Sequence, residues 1–488
     1  MAARGKRART RLLIVGAGSA GRSLADEMRA ATDLGLQPVG FVDDDPALQG
    51  TLVADLPVLG GTQELVAAAR QVDAGEILIA IPSARGSVIR RLVLLCKRAG
   101  LPFRIVPGLR AIIEGDVSFK QVRAVAPEDL LGRETVTFQA GRAREVVAGR
   151  SVMVTGAGGS IGGELCRQLV KLEPAELLLL GRGENSIFEI HGELAAAGGA
   201  TRLVPLICDV RDSARLTVLA GRHRPALILH AAAHKHVPLM EENPEEATVV
   251  NAGGTANVIA FARRVGAERF VLISTDKAAE PCSVMGATKK VAELLVRHAQ
   301  TLDGSTRFMT VRFGNVLGSR GSVVPFFMQR MAAGRPLPVT HEAMTRYFMT
   351  IREAALLVIE AMVLGERGAT YILEMGEPVP ILELARNLLA LSGFGPDDGG
   401  PGIEIVGMRP GEKLHESLLD AGETLEPSPS PLIHRARCSA GDPTAAVRCL
   451  PDLLDLAGRG DRDGLRRALA RLLDRAELAG QPVPRGGP

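Results

Sequence analysis

The chain has 488 residues, enough at roughly 100 to 200 residues per domain for two to four domains with sizeable cores. Hydrophobic residues make up 46% and charged residues 23%, which excludes a disordered or fibrous chain. With 58 Lys plus Arg against 55 Asp plus Glu the net charge is +3, giving no footing for a nucleic-acid partner or an anionic membrane surface. The cysteines, Cys96, Cys166, Cys208, Cys282, Cys438 and Cys449, form no CxxC pair, so a reducing compartment is expected. No apolar run reaches the roughly 18 residues of a membrane helix. The expectation is a cytoplasmic protein without a membrane span of its own.

The first organised segment is RLLIVGAGSAGRSLADEM. An apolar strand at Leu12 to Val15 ends in Gly16, Gly18 and Gly21, and a helical pattern follows. Strand, tight turn and helix start are what a pyrophosphate site needs, because they bring the main chain and unpaired amides close to the ligand. A second strand ends at Asp43 and Asp44, where an acid can meet a ribose. A helix near 62–70, a strand at 76–82, a helix at 86–99 and a strand at 103–106 complete a small parallel α/β unit, assigned to residues 1–125. A GxGxxG alone does not separate a nucleotide site from glycines that only close a turn, and both readings stay open. Residues 126–150, ending in QAGRAREVVAGR, read as a linker.

A second and fuller strand–turn–helix beginning, SVMVTGAGGSIGGELCRQLV, carries Gly156, Gly159 and Gly162, with Ser160 and Ile161 at the turn. The next strand ends at Arg182, and an arginine there can accommodate a 2′-phosphate where an acid would bind the ribose. The third strand ends at Asp209 and Val210, the acid facing the crevice or capping the following helix. The fourth ends at His230, followed by Ala231, Ala232 and Ala233. Such strand ends converge on the ligand crevice of a doubly wound sheet. The expected fold is therefore α/β, with two Rossmann-like doubly wound parallel-sheet domains. His230, His234 and His236 lack an accompanying cysteine or clear carboxylate, so no metal site is expected. After the proline- and serine-rich GETLEPSPSPLIH, residues 451–478 read as short amphipathic helices.

TGAGGSIG, HAAAHKHVPLMEENPEEA, VLISTDKAAEP, VMGATKK, VRFGNVLGSRGSVVPFF, MTRYFMTIREAALL and GMRPGEKLHESLL follow one another in this order. Together they resemble the polysaccharide-biosynthesis branch of the extended short-chain dehydrogenase/reductases, which contains the UDP-N-acetylglucosamine 4,6-dehydratases of the CapD, WbpM and PglF kind. The resemblance is strong over roughly 151–425, and residues 11–125 resemble the Rossmann-like domain that precedes the catalytic domain in the large members. Those members usually carry transmembrane helices ahead of that domain, and this chain looks like the soluble remainder. The resemblance implies a catalytic domain over 151–430, with a nucleotide-sugar-binding part near its C-terminal end and a helical extension over 431–488. It implies tightly bound NAD, with NADP the alternative, and UDP-N-acetylglucosamine as substrate.

The reaction it implies is oxidation at C4, loss of water across C5 and C6, and hydride return to C6, for polysaccharide or glycan biosynthesis. Ordinary members of the superfamily use YxxxK, a tyrosine base with a lysine one helical turn later. Here the motif reads Met285-Gly-Ala-Thr-Lys289, and methionine cannot exchange a proton. The methionine version resembles the dehydratases that retain configuration at C5. By resemblance Asp276 protonates the departing C6 hydroxyl, Lys277 takes the C5 proton and Thr275 hydrogen-bonds the C4 oxygen. Lys289 holds the nicotinamide ribose and supports C4 deprotonation through Thr275 or a water. An unperturbed lysine is a poor base near neutral pH, so the site must supply a special environment.

On the substrate side the resemblance implicates His234, Lys235, Asn315 and Ser322 (the last in a loop, Gly318 to Pro325, covering the diphosphate). It adds Arg346 and Arg409 as phosphate clamps and Glu412 on the uridine ribose. The alternatives are a nucleotide-sugar epimerase (a UDP-GlcNAc 4-epimerase or a C5-inverting dehydratase) and a non-catalytic cofactor-binding scaffold. A homo-oligomer is expected, with Val284 to Val296 as a candidate contact surface. Peripheral attachment to glycan-assembly machinery through a partner is the alternative to a free cytoplasmic enzyme.

Overall fold

The strand–glycine–helix alternation read from the sequence forms two mainly parallel sheets. The computed structural model describes residues 9–31, 35–82, 84, 86–106, 122, 138–302, 304–392, 394, 400–437 and 442–479. The chain divides into two units, Met1–Val136 with Phe326–Leu337 and Glu383–Glu404, and Thr137–Pro325 with Pro338–Leu382 and Ile405–Pro488. Both units are discontinuous along the chain.

In the first unit β1 (Thr10–Val15), α1 (Ser19–Ala30), β2 (Leu36–Val42), α2 (Leu65–Gln71), β3 (Glu76–Ile79), α3 (Gly86–Ala99) and β4 (Phe103–Ile105) follow in turn. Their parallel sheet has the order β2-β1-β3-β4. Leu12 and Ile14 pack with Leu24 and Met28 on one face, while Leu13 and Val15 pack with Leu65 and Leu92 on the other. A strand covered on both faces must be apolar at consecutive positions, which is why LLIV does not alternate.

Most of the expected linker before Phe138 lies outside the described residues, but its end is not a linker. Ala140–Val147 forms a helix, α4, with Ala143 and Val147 buried one turn apart. That spacing is the signature of one covered helical face.

The second unit is built on β5 (Ser151–Thr155), α5 (Ser160–Val170), β6 (Glu176–Gly181), α6 (Glu184–Ala196), β7 (Arg202–Ile207), α7 (Ser213–Ala220) and β8 (Leu227–His230). α8 (Val237–Glu242), α9 (Pro244–Ala247), a π-helical turn at Thr248–Gly253, α10 (Gly254–Val265), β9 (Arg269–Ile273), α11 (Val284–Thr301) and β10 (Arg307–Arg312) continue it. The short β11 (Asn315–Leu317) and β12 (Phe348–Thr350), α12 (Ile351–Leu364) and β13 (Thr370–Leu373) come next. β14 (Thr424–Pro427), β15 (Ile433–Arg437), α13 (Pro443–Gly458) and α14 (Arg462–Leu473) close the unit.

The nine-stranded sheet has the order β14-β15-β13-β10-β9-β8-β5-β6-β7. Its strands are parallel from β13 to β7, and the β14–β15 hairpin adds antiparallel to β13. The hairpin corrects the boundary at 430, which would cut through the sheet. After β7 the chain returns to the other side of β5, so the strand order reverses between β5 and β8, where such sheets bind ligands.

α11 begins at Ser283, whose side chain accepts from the Gly286 amide at 3.1 Å. Every residue from Val284 to Val296 is buried. The sheet accounts for one side, and Ala446, Leu453, Leu465 and Leu469 of α13 and α14 join the same core cluster. Arg466 of α14 forms a buried pair with Glu241, whose other oxygen accepts from the Val284 amide at 2.6 Å. The helix expected to offer an assembly surface is thus covered by its own C-terminal extension. Among the described residues no helix is long and apolar enough to cross a membrane.

Candidate active site

A cleft of about 500 Å³ opens at the carboxyl ends of β5, β8 and β9, at the strand-order reversal. Its floor on the β5 side is the glycine turn. Gly156 has φ +67°, and a Cβ there would lie 2.8 Å from the Ala232 amide; a Cβ on Gly162 would lie 2.1 Å from the Gly156 carbonyl. These contacts bring β5, the start of α5 and the Ala231–Ala232 backbone together more closely than side chains allow. Gly159 is the N-cap of α5 with no side-chain cap, and Gly159, Ser160, Ile161 and Gly162 line the cleft. The cradle fits a dinucleotide pyrophosphate by shape and by its helix-start amides.

A shallower groove beside it is lined by Arg182, Asp209 and Asp212, among others. The N-cap of α7 is Asp212, which accepts from the Arg215 amide at 2.8 Å, so Asp209 is not the cap. Asp209 instead accepts from the Arg211 amide and guanidinium at 2.8–3.1 Å. Burial would raise its carboxyl, but the Arg211 hydrogen bonds outweigh it and hold it below its ordinary value. Arg182 is exposed, 3.6 Å from Glu246. Val210 is buried against Gly254.

The chemistry-bearing residues follow β9. Thr275 ends the extended chain, and Asp276, Lys277 and Ala278 form a single 3₁₀ turn. Asp276 is fully buried; its Oδ1 accepts from Thr275 Oγ1 at 2.9 Å and from Lys277 Nζ at 3.0 Å. Lys277 Nζ also donates to Asn315 Oδ1 at 3.0 Å and lies 3.5 Å from Glu416 Oε1. Burial by itself would lower this lysine, but Asp276 and Glu416 outweigh it and hold it above its ordinary value. Lys277 is therefore an ammonium here, the opposite of the free base that the expected role needs.

Met285 and Lys289 lie one turn apart at the start of α11, and both line the cleft. Lys289 Nζ donates to the Ile273 carbonyl at 2.7 Å; burial brings it down to about 8, against a smaller opposing pull from Glu293. The two lysines of the site are thus pushed in opposite directions. Such divergence is how a site separates an acid from a base.

The three histidines do not converge. His230 is buried between Thr155 Oγ1 (2.7 Å) and Thr255 Oγ1 (3.1 Å), and burial, helped by Lys289, lowers it to about 3. His234 lies 3.3 Å from Glu246, while the His236 ring lies against Gly321. Among the described residues no group of three or more His, Cys, Asp or Glu could hold a metal ion.

Lys235 and Arg320 put positive charge on the cleft wall, and burial, with Lys235 beside it, holds His236 below its ordinary value. Lys235 donates to Ser319 at 3.2 Å, and burial first, then Arg320, lowers it from its ordinary value. The Ser322 hydroxyl is buried with no hydrogen-bond partner among the described residues. Arg346 is buried, and its guanidinium donates to the carbonyls of Thr345, Lys413 and Leu414. Arg409 is exposed at a turn where its amide meets Glu412 at 3.3 Å. Arg346, Arg409 and Glu412 do not line the cleft.

Several residues that position the site were not among the expected site residues. Asn251, in the π-helical turn, accepts from the His234 amide and donates to the His234 carbonyl and to Thr288 of α11. Glu293 accepts from Ser274 at 2.6 Å and from Arg312, which also pairs with Glu423. Arg320 donates to the Gly158 carbonyl and, through its amide, to Ser160, laying the 318–325 loop on the glycine turn. Glu416 stood inside a recognised motif, yet only its neighbour Glu412 drew notice.

In the first unit the Gly16 turn has the same construction: φ is +102°, and a Cβ on Gly21 would lie 2.0 Å from the Gly16 carbonyl. Asp43 Oδ2 accepts from the Ala17 amide at 2.7 Å, and Oδ1 from the Asp45 amide. Asp44 holds Thr62 and Arg91. Asp43 thus ties the turn to the end of β2, and Gly18 caps α1 without a side-chain bond.

Residues 152–437 match the family described as polysaccharide biosynthesis protein, and residues 2–107 match a CoA-binding domain family. The chain is 44% identical over 450 residues to the probable polysaccharide biosynthesis protein EpsC of Bacillus subtilis, covering 92% of this chain and 75% of that protein. It is 43% identical over 413 residues to the capsular polysaccharide biosynthesis protein CapD of Staphylococcus aureus, covering 84% and 69%. A UDP-N-acetylglucosamine 4,6-dehydratase (inverting) of Campylobacter jejuni is 33% identical over 282 residues, 57% of this chain and 79% of that one. The solved structure of Pen from Bacillus thuringiensis superposes with a TM-score of 0.55 at 30% identity, covering 60% of this chain and 88% of that one.

Proposed function

The chain belongs to the polysaccharide biosynthesis protein family, and from that footing we propose that it is a UDP-N-acetylglucosamine 4,6-dehydratase that retains configuration at C5. The supporting observation is the Asp276–Lys277 pair, one carboxylate and one amine 3.0 Å apart beside a cleft that also holds Lys289 and a non-titrating Met285. Elimination of water needs one group to take the C5 proton and another to give a proton to the C6 oxygen. The 33% identical relative carries the inverting name. The retaining assignment rests on Met285, by its likeness to the methionine-bearing dehydratases.

The resting ion pair and the reactive pair differ in where one proton sits. Moving it from Lys277 Nζ to Asp276 turns ammonium and carboxylate into amine and carboxylic acid. The amine then takes the C5 proton, and the C5–H electrons form the C5–C6 double bond. The C6–O bond breaks with its electrons, and the oxygen leaves as water with the Asp276 proton. The ion pair is restored. Excluding water favours the neutral pair, because desolvation penalises charges.

NAD fits the glycine cradle, with Gly156, Gly159, Ser160, Ile161 and Gly162 at the pyrophosphate and Arg182 and Asp209 at the adenosine end. When bound, the dinucleotide supplies reversible acceptance of hydrogen from C4 and its return to C6. Lys289, buried at the cleft wall, is the group suited to draw off the C4 hydroxyl proton, through Thr275 or a water, since Met285 cannot. His234, Lys235, Asn315 and Ser322 are assigned to the sugar nucleotide; Arg346, Arg409 and Glu412 stand outside the cleft and are given no part in the chemistry.

Incubation of the purified protein with UDP-N-acetylglucosamine tests the reading. Loss of one water mass with a 4-keto product is expected. An unchanged mass with an altered sugar would make the protein an epimerase, and no change with cofactor bound would make it a scaffold.

A further inference from the structure

Lys277 has more acceptors than its proposed partner requires. An ammonium has three donors, and three oxygens surround this one. Asp276 Oδ1 and Asn315 Oδ1 each lie at 3.0 Å, and Glu416 Oε1 lies at 3.5 Å. Glu416 comes from the 405–420 segment, 139 positions along the chain from Lys277, and its side chain is 2% exposed. A buried carboxylate is costly unless it is paired. Glu416 has two cationic neighbours, Lys277 and Arg346, the latter with Nε at 3.8 Å.

Two further details give the cluster a direction. Asp276 Oδ2 and Glu416 Oε2 are both buried without a hydrogen-bond partner among the described residues. Each of the two carboxylates on Lys277 therefore keeps one uncommitted oxygen. A Cβ on Gly314 would lie 3.2 Å from Asp276 Oδ2, so that oxygen faces room left by a missing side chain. Arg346, meanwhile, is fixed by three carbonyls, so the charge behind Glu416 cannot swing away.

We propose that Glu416 is a positioning residue that holds the Lys277 ammonium in register and, with Arg346 behind it, sets how readily Lys277 releases its proton to Asp276. This rests on the dehydratase reading for its consequence in turnover, but not for its effect on Lys277 itself. The negative charge of Glu416 favours the ammonium and opposes the neutral pair; Arg346 offsets part of that charge. The groups facing Lys277 are Asp276 on its own turn, Asn315 from β11, Glu416 from the 405–420 segment and Arg346 behind it. Glu416 is the carboxylate whose removal changes the charge on Lys277 without touching the proposed acid or base.

The test compares the wild type with Glu416→Gln and Glu416→Asp in two ways. Competitive labelling with acetic anhydride across pH, read by mass spectrometry at Lys277, gives the midpoint at which its amine becomes free, with or without turnover. Glu416→Gln should lower that midpoint by at least about one pH unit, a tenfold change in proton affinity. Glu416→Asp keeps the charge and should move it less. With UDP-N-acetylglucosamine, the alkaline limb of kcat should move to lower pH in the same order, because a pair that has lost its shared proton to solvent has no acid for C6, with KM changed less than kcat. A Glu416→Gln protein that folds and binds cofactor, yet keeps the wild-type Lys277 midpoint, overturns the proposal whatever its rate. Should that variant fail to fold, a Glu416→Asp midpoint identical to the wild type overturns it instead. A wild type without dehydratase activity would refute the functional reading, while the labelling midpoints still decide the role of Glu416.

Discussion

Lys289→Met should make the protein slower and, without cofactor, more stable at neutral pH, both for the same reason. Lys289 is buried, and burial brings its ammonium from 10.5 down to about 8. Between those values the unfolded chain keeps the proton and the folded chain does not, so stability rises with pH across that window. Below pH 8 the full cost is present, about 3 kcal/mol at 1.36 kcal/mol per pH unit. Methionine removes that cost but strands the Ile273 carbonyl that Lys289 bonds at 2.7 Å, a loss of about 1–3 kcal/mol. The balance is a gain of about 1 kcal/mol at pH 7.

Denaturation of the cofactor-free protein at pH 7 and pH 10.5 is the assay. The variant should be the more stable at pH 7 and the less stable at pH 10.5, where the wild-type lysine is already neutral. Turnover should fall by about 100-fold or more, the scale of general acid–base loss. The wild-type rate should climb with pH up to about 8 and then level. A variant less stable than wild type by the same amount at both pH values would mean that burial does not disfavour the ammonium. A wild-type rate flat from pH 6 to 9 would remove Lys289 from the proton path.

Met285→Leu should retain the wild-type rate within about fivefold, because a volume-conserving apolar exchange costs less than about 1.5 kcal/mol and no proton is lost; steady-state kinetics check it. Gly314→Ala places a methyl 2.8 Å from the Tyr347 Cβ and 3.2 Å from Asp276 Oδ2. Turnover should fall at least tenfold at unchanged cofactor content, read by kinetics and by the absorbance of released dinucleotide. Arg466→Ala leaves Glu241 buried without its cation and should cost on the order of 3–5 kcal/mol in denaturation of the second unit.

Most of the parallel strands were legible because they are short runs of consecutive apolar residues, several of them closed by glycine or an acid, as in β1 with Gly16 and β5 with Gly156. The helix at Ala140–Val147 was not, because QAGRAREVVAGR is bounded by glycines and polar enough to pass for a connection. Its covered face needs only Ala143 and Val147. The β14–β15 hairpin was missed because its prolines and serines read as loop. Pro427 ends a strand at the outer edge of the sheet, where a missing amide costs nothing in the ladder. Of the expected site, Gly159, Ser160, Ile161, Gly162, Ala231, His234, Lys235, Thr275, Lys277, Met285, Lys289, Asn315 and Ser322 line one cleft. Asp276 stands immediately behind it, fully buried.

What a motif cannot supply is the charge that reaches a residue from elsewhere in the chain. STDK names an acid beside a base, but it leaves open which of them holds the proton. That is decided by Glu416 and Arg346, neither of which borders the motif in sequence. The same holds behind α11. Glu293 is held below its ordinary value, burial opposing and Arg312 and Lys290 prevailing, while Arg312 and Lys290 are in turn tied to Glu423 and Asp420. Through Ser274, which Glu293 accepts from at 2.6 Å, this buried set reaches the strand end that carries Thr275. The 416–423 segment thus reaches the Asp276–Ala278 turn from two sides, through Lys277 on one and through the placement of β9 and α11 on the other. A change there should be felt at the chemistry before it is felt in the glycine cradle, which rests on β5, the Ala231–Ala232 backbone and Arg320 instead.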